Sequence, residues 1–225
     1  MSTARELIYN VKSILRGGLI TDDDKISDRQ IMFVIDSIRS TLLRRQYDSG
    51  QSISDNHIQT IKCLELEEVD TAFSSTFPSD CKVYKTALQI PKPIEAKAKD
   101  LILSVGPSEF GLTGYEFIPY SRLPYARNTK FKRPLAVLFN GYIYVLDAPY
   151  TVNISVSGVF ESPNSLAEYN DCGGTACFSW DSQYPISAHL IDALTRMAIE
   201  ELTPETRALS DKINDSNQKL EDPTK

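Results

Sequence analysis

Apolar residues recur with helical spacing most clearly in residues 27–48. Ser27 is a favourable N-cap, Gln30 stands three residues later, and Gly50 follows as a stop signal. Between these signals the apolar positions recur at intervals of three and four residues, which is one face of a helix. The stripe consists of Ile31, Val34, Ile35, Ile38 and Leu42. The pattern predicts one long helix, against which the other helices pack.

Two further stripes predict helices near the ends of the chain. The first helix is ended by Gly17-Gly18, and its stripe is Leu7, Ile8, Val11, Ile14 and Leu15. Another helix is predicted to begin at Pro185, a favoured first position, and to run to Leu202. Thr203-Pro204-Glu205 then predicts a short fourth helix.

Between these helices the spacing changes to that of strands. Gln59–Val69 predicts a strand with a phase slip near Cys63, and shorter strands are expected at 82–88 and 101–105. The segment 135–147 carries Asn140-Gly141 between two apolar runs, the signature of a type I′ hairpin. Both faces of this hairpin are largely apolar, so we expect it centrally in the sheet or against a neighbouring subunit. Residues 152–156 alternate as a third strand of a meander.

This order of elements predicts an α+β fold. Both chain ends form a helical bundle, and an antiparallel β-sheet, a meander or a sandwich, is inserted between them. The expected segments are 1–58 for the N-terminal helices, 59–180 for the inserted β domain, and 181–225 for the C-terminal helix with an extended docking tail. With 225 residues and 41% hydrophobic content, the chain can bury a proper core.

Residues 106–134 predict a long irregular loop, which in a compact domain is usually functional. Positions 121–133 hold five cations and no acidic residue. Basic and aromatic residues together are typical of a single-strand nucleic-acid site or of a protein contact. The net charge of −6 favours the contact. The predicted subunit or partner contacts are Tyr115, Phe117, Tyr120, Arg122, Tyr125, Arg127, Lys130, Lys132 and Arg133.

Motifs for catalysis, cofactors and metals are not found in the sequence. It lacks a nucleotide-binding glycine motif. Its only histidines are His57 and His189, and no spacing in the sequence indicates which serine or cysteine and which acid would complete a catalytic triad with either of them. A small hydrolase is therefore the weakest hypothesis, and we expect neither an enzyme nor a cofactor. Zinc ligation by the cysteines is disfavoured by their spacing, and free buried thiols are expected. These cysteines are Cys63, Cys81, Cys172 and Cys177. Without a long apolar run or a secretory signal, synthesis in a cytoplasm and no membrane contact are expected.

Several stretches resemble the head-to-tail connector (adaptor or ring) proteins of short-tailed bacteriophages, most closely those of crAss-like phages. They are residues 6–46, IPKPIE at 90–95, FNGYIYV at 139–145, GVFESP at 158–163 and YPI at 184–186. The resemblance implies a structural ring, commonly of about twelve copies, in the neck or tail of a virion assembled in a bacterial host's cytoplasm. It implies contacts with the portal and with neighbouring ring or tail proteins, while genomic DNA passes through the lumen without sequence-specific binding. It brings no catalytic residues.

The polar C-terminus cannot build a core of its own. By analogy with the tails of adaptor proteins, we expect residues 203–225 to dock on the portal or on an adjacent ring. The expected docking residues are Leu209, Lys212, Ile213, Lys219 and Leu220.

Overall fold

A computed structural model describes residues 2–18, 26–69, 82–109, 113–126, 134–148 and 153–214. The side chains of the last helix are described as far as Thr203, and that of Ala126 is not described. Some of the predictions above concern residues outside these ranges.

The helices are α1 (Ala4–Leu15), α2 (Asp28–Asp48), α3 (Leu123–Ala126) and α4 (Ala188–Asn214). The predicted long helix is confirmed as α2, and the Ser27 hydroxyl accepts from the Gln30 amide at 3.2 Å. The prediction for the last helix is wrong at both ends. α4 begins at Ala188 because Tyr184–Ile186 are held against α2, where the Pro185 carbonyl accepts from Arg39. It also continues through Pro204 as one helix, so the predicted fourth helix is not separate.

A seven-stranded sheet forms the β part of the fold. Its strands are β1 (Gln59–Val69), β2 (Val83–Thr86), β5 (Ile102–Pro107), β6 (Glu116–Ile118), β7 (Leu135–Phe139), β8 (Tyr142–Leu146) and β9 (Asn153–Gly158). The spatial order is β5-β9-β1-β2-β8-β7-β6, antiparallel except for the β6–β7 pair. A separate two-stranded hairpin consists of β3 (Glu95–Ala96) and β4 (Lys99–Asp100).

The predicted β7–β8 hairpin is confirmed. Asn140 and Gly141 have φ of 49° and 81°, as a type I′ turn requires, and Phe139 lies opposite Tyr142. The predicted meander of three consecutive strands is wrong, since β9 pairs with β1 and β5. The outer edge of β8 is instead taken by β2, which places β9 three strands away from β8.

The predicted phase slip in β1 is also confirmed. Cys63 has a φ of 55°, and the register with β9 shifts between Ile61 and Leu64. β1 pairs with β9 as far as Glu65 and with β2, on its other edge, from Leu66 onward. The bulge therefore lies just before the point where β1 exchanges one partner for the other.

The 106–134 stretch is more regular than predicted, and it brings the two edges of the sheet together. It contains β6, a 3-10 turn at Tyr120–Arg122 and α3. Immediately before β6, the Tyr115 amide donates to the Val105 carbonyl of β5 at 2.8 Å. Local sequence patterns could not predict this regular structure, because it depends on pairing between segments that are distant in the chain.

The main core lies between the helices and the inner face of the sheet. α4 contacts both α1 and α2, and its buried residues Leu194, Ala198 and Leu202 join one cluster with residues of α1, α2 and the strands. A second cluster on the outer face packs Leu123 of α3 against Leu135 and Val137 of β7. In the described ranges, no helix has both the length and the apolar character to cross a bilayer.

Candidate functional site

The long helix α2 carries a buried charged pair that binds it to the rest of the chain. Arg39, with 0% of its side chain exposed, donates from Nε to the Pro185 carbonyl and from Nη1 to the Phe160 carbonyl, both at 2.8 Å. Asp36 accepts from the Ser162 hydroxyl at 2.6 Å and from the Tyr184 hydroxyl at 2.7 Å. These six residues are named the polar junction. They fix the chain before and after residues 164–183 onto one helix.

Burial dominates the electrostatics of the polar junction. It raises the pKa of Asp36, although the hydrogen bonds from Ser162 and Tyr184 and the charge of Arg39 act in the opposite direction. Burial likewise lowers the pKa of Arg39 and raises that of Tyr184 well above its ordinary value. The arrangement is a structural network, because its donors point at backbone carbonyls and carboxylate oxygens within the core, and Arg39 Nη2 alone among the atoms of Arg39 and Asp36 has no partner in the described residues.

A serine, a histidine and a tyrosine meet beside this network. His57 Nε2 lies 2.7 Å from the Ser187 hydroxyl, and Nδ1 lies 2.6 Å from the Tyr47 hydroxyl. Burial lowers the pKa of His57 to about 4 and raises that of Tyr47 to about 12. Tyrosine is no substitute for the acid of a triad, and Ser187 is only 6% exposed. The hydrolase hypothesis therefore gains no accessible nucleophile here.

Three of the stretches that carried the family resemblance meet at the polar junction. In 90–95, Ile94 donates its amide to Val159, and Lys92 accepts from the Glu161 amide, so this stretch lies along 158–163. The 184–186 stretch supplies the carbonyl and hydroxyl that meet α2. Sequence reasoning missed the junction. The available signal was Arg39, four residues after Ile35 and thus on the apolar side of α2.

The predicted contact residues divide into buried and exposed ones. Tyr115 is 8% exposed and belongs to the main core, and Phe117 is partly buried against it. Tyr120 and Tyr125 are 41% and 73% exposed, and Arg122 is also exposed. The remaining ones lie outside the described residues, namely Arg127, Lys130, Lys132 and Arg133.

Tyr120 is part of an aromatic surface on the outer face of the sheet. Its ring stacks on Phe139 with centroids 4.4 Å apart, and Phe139 meets Tyr144 at 6.1 Å. The Lys85 ammonium lies 5.3 Å from the centroid of Tyr142. We name Tyr120, Phe139, Tyr142 and Tyr144 the outer aromatic patch. Tyr120 is exposed and the other three are half-buried. Aromatic side chains that reach the surface together are typical of an interaction surface.

The predicted docking residues are only partly within the described chain. Leu209, Lys212 and Ile213 fall within α4, where only the backbone is described. Lys219 and Leu220 fall outside the described residues.

The expectation of free thiols is wrong for two cysteines, because the structure joins Cys63 to Cys172 as a disulfide. The bulge at Cys63 and the loop at Cys172 bring together residues that are 109 positions apart, which spacing alone could not predict. Cys177 is free, and Cys81 lies outside the described residues. Within the described part of the chain, no group of three or more metal-ligating side chains is found.

Beside this disulfide lies a groove of 510 Å³ between β1 and the loop 168–172. Lys62 and Glu65 of β1, Leu88 after β2, and Glu168 and Asp171 of the loop line it. It is therefore a mixed polar and apolar depression on the surface, and it shares no residue with the polar junction.

Exposed aromatic residues and a surface groove suit a protein that assembles with other chains. Comparison with known proteins agrees with this class. Residues 6–222 match the family described as phage tail ring protein 2, and the chain belongs to that family. It is 27% identical over 236 residues to "Ring protein 2" of Bacteroides phage crAss001, an alignment that covers 98% of this chain and 99% of the relative. The chain is thus a structural ring component of a phage virion.

Proposed function

We propose that the chain forms a head-to-tail connector ring of about twelve copies that joins the portal to the tail of the virion. Genomic DNA passes through the lumen of this ring, and the ring is assembled in the host cytoplasm. The proposal extends the family membership, which concerns a tail ring, to a particular place in the neck.

The outer aromatic patch is the observation that supports a contact between copies most directly. A ring closes when each copy presents two different surfaces that fit one another. Tyr120 of the patch and Tyr125, which lies outside the patch five residues later in the chain, are both exposed, and tyrosine is among the residues that most often anchor an interface. Arg122 lies between them in sequence and is also exposed, so it adds a cation to this segment.

The division of labour within the chain follows from the proposed ring. Segments 1–58 and 181–225 form a helical bundle that gives each copy a rigid body, and the inserted 59–180 domain supplies contacts through its 106–134 stretch. Residues 203–225 dock on the portal or an adjacent ring. The net charge of −6 suits a channel through which DNA moves without sticking.

Assembly of the purified chain, alone and with the portal, tests the proposal. Replacing Tyr120 and Tyr125 by Ser should reduce ring formation at least tenfold by native mass spectrometry, with the melting temperature little changed. Tyr9→Ser on α1 is the matched control, because Tyr9 is also exposed. Removal of residues 204–225 should instead leave the ring intact and prevent its attachment to the portal.

A monomer that binds DNA would contradict the ring. In that case, replacing Arg127, Lys130, Lys132 and Arg133 by Ser should remove salt-sensitive DNA binding, and the nucleic-acid module of residues 121–133 would be the better interpretation. Rings that form normally after both tyrosine substitutions would contradict the contact between copies through Tyr120 and Tyr125.

A further inference from the structure

The groove beside β1 has walls that are fixed before any partner arrives. One wall is β1 itself at the bulge, and the other is the loop 168–172. The disulfide between Cys63 and Cys172 ties the loop to the strand, and the Tyr169 hydroxyl donates to the Gln89 carbonyl. Little free energy is therefore needed to order the groove when a partner binds.

The chemistry of the groove fits a cationic and partly apolar segment. Its lining carries the carboxylates of Glu65, Glu168 and Asp171 against the single ammonium of Lys62. Within the described part of the chain, neither Glu65 nor Glu168 has an ion-pair partner. Leu88, 58% exposed, supplies an apolar contact.

We propose that this groove binds residues 127–133 of a neighbouring copy in the ring, an inference that rests on the proposed function. This segment carries four cations and Phe131 and no acidic residue, although the chain as a whole has a net charge of −6. The charges are complementary, and the groove and the segment are different surfaces of one chain. Their contact is therefore heterologous and can close a ring.

The segment of the same copy is too short to fill the groove. It follows α3 and ends at β7, and Leu135 at the start of β7 is in line with Leu146, Val83 and Val69 across the sheet. From there the groove lies three strand spacings across and about five residues along β1, roughly 20 Å in all. Seven residues anchored at both ends reach out and back only about 12 Å. The occupant must come from another copy.

A labelled peptide of residues 126–134 tests the groove directly. The receptor is the full chain with Arg127, Lys130, Lys132 and Arg133 replaced by Ser, so that its own segment does not compete. We expect binding that weakens with salt and falls at least tenfold, by fluorescence anisotropy, when Glu65→Lys and Glu168→Lys are added. Glu200→Lys with Glu201→Lys on α4 is the control and should leave the affinity unchanged. Equal binding to all receptors would overturn the proposal.

Charge reversal in the full chain tests the contact within the ring. One variant carries Glu65→Lys and Glu168→Lys, and the other carries Lys130→Glu and Lys132→Glu. Each alone should fail to assemble, whereas an equimolar mixture should form rings of alternating copies, since each segment then matches the other variant's groove.

The two proposals fail in different ways. Rings of the wild-type chain together with a mixture that stays monomeric would overturn the groove contact and leave the ring standing. A wild-type chain that never forms rings would overturn the proposed function, and the peptide titration would then decide the groove alone.

Discussion

Arg39 shows how one side chain holds the helical and strand parts together. It donates to carbonyls of Phe160 and Pro185, which are separated from it by 121 and 146 positions in the chain. Its Nη2 has no partner among the described residues, so the network is not complete. The net contribution of a buried ion pair to stability is small, but removal of the arginine leaves its buried partners unpaired, and that costs much more free energy.

Arg39→Leu should therefore lower the free energy of unfolding by about 3–5 kcal/mol, because two carbonyls and Asp36 lose a buried donor or countercharge. Urea denaturation measures the change. Arg44→Ala on the same helix is the control, since Arg44 is exposed and its pair with Asp48 is stretched to 3.9 Å. The control should lose less than about 0.5 kcal/mol. Equal losses in both variants would contradict the structural role of Arg39.

His57 predicts a pH dependence of stability. Its pKa is lowered from 6.5 to about 4 in the folded chain, so between these values the unfolded chain binds a proton that the folded chain does not. The contribution of His57 to the free energy of unfolding should be constant above pH 6.5 and should fall by up to about 3 kcal/mol as the pH drops to 4. The titration of Asp36 also changes stability with pH, but Asp36 is present in all the chains compared below, so its effect cancels in the differences between them.

Denaturation curves at several pH values measure this effect. His57→Gln should be less stable at neutral pH, because it loses the contacts with Tyr47 and Ser187, but its stability should change less between pH 7 and 4. His189→Gln, an exposed position, should keep most of the slope of the unsubstituted chain, because the charge of His189 is the smallest of the three causes that lower the pKa of His57. Parallel slopes for all three chains would show that His57 is not the group responsible.

At the scale of elements, local signals were predictable and distant pairings were not. Asn140-Gly141 fixes the register of its hairpin because the turn and both strands are adjacent in sequence. The slip at Cys63 was also visible as a break in alternation. β9 does not pair with β8 because that edge of β8 is occupied by β2, which lies almost sixty residues earlier in the chain.

Some residues of the candidate site were likewise predictable from local sequence, and others were not. Exposure of Tyr120 and Tyr125 agrees with their expected position on a surface, while Tyr115 is drawn into the core because its amide pairs with Val105. The polar junction and the groove each join segments from distant parts of the chain. No spacing rule identifies such sites.

Gly158 at the end of β9 gives an element-scale prediction. A Cβ at this position would lie 2.8 Å from the Leu101 carbonyl oxygen, a backbone atom that cannot turn aside. Gly158→Ala should therefore separate β9 from its neighbour and cost about 1–3 kcal/mol. Gly114→Ala is the control, because its Cβ would meet its nearest atom, the Val105 oxygen, at 3.5 Å. Thermal unfolding of both variants measures the difference, and a loss at Gly114 equal to that at Gly158 would contradict it.

At the scale of the whole molecule, the Cys63–Cys172 disulfide encloses much of the sheet in a covalent loop. Such a loop restricts the unfolded chain, so its loss should lower the free energy of unfolding by about 2–5 kcal/mol. Reduction of the wild-type chain, or replacement of both cysteines by Ser, should give the same result in urea denaturation.

Cys177→Ser is the control for this prediction and should change stability little, because that thiol is free. Thiol blocking before mass analysis gives an independent measurement, since a disulfide leaves Cys63 and Cys172 unlabelled. Full labelling of the folded, unreduced chain would contradict the bond.

The contact of Tyr115 with Val105 has a consequence for how copies of this chain meet at high local concentration. An open strand edge is a template on which another chain can add its own strand, and repeated addition leads to fibres. Here the bridge between Val105 of β5 and Tyr115, just before β6, covers part of both edges. This pairing disfavours unlimited β polymerisation when copies are crowded together during virion assembly, and it favours association through side chains and loops, whose geometry fixes a finite number of neighbours.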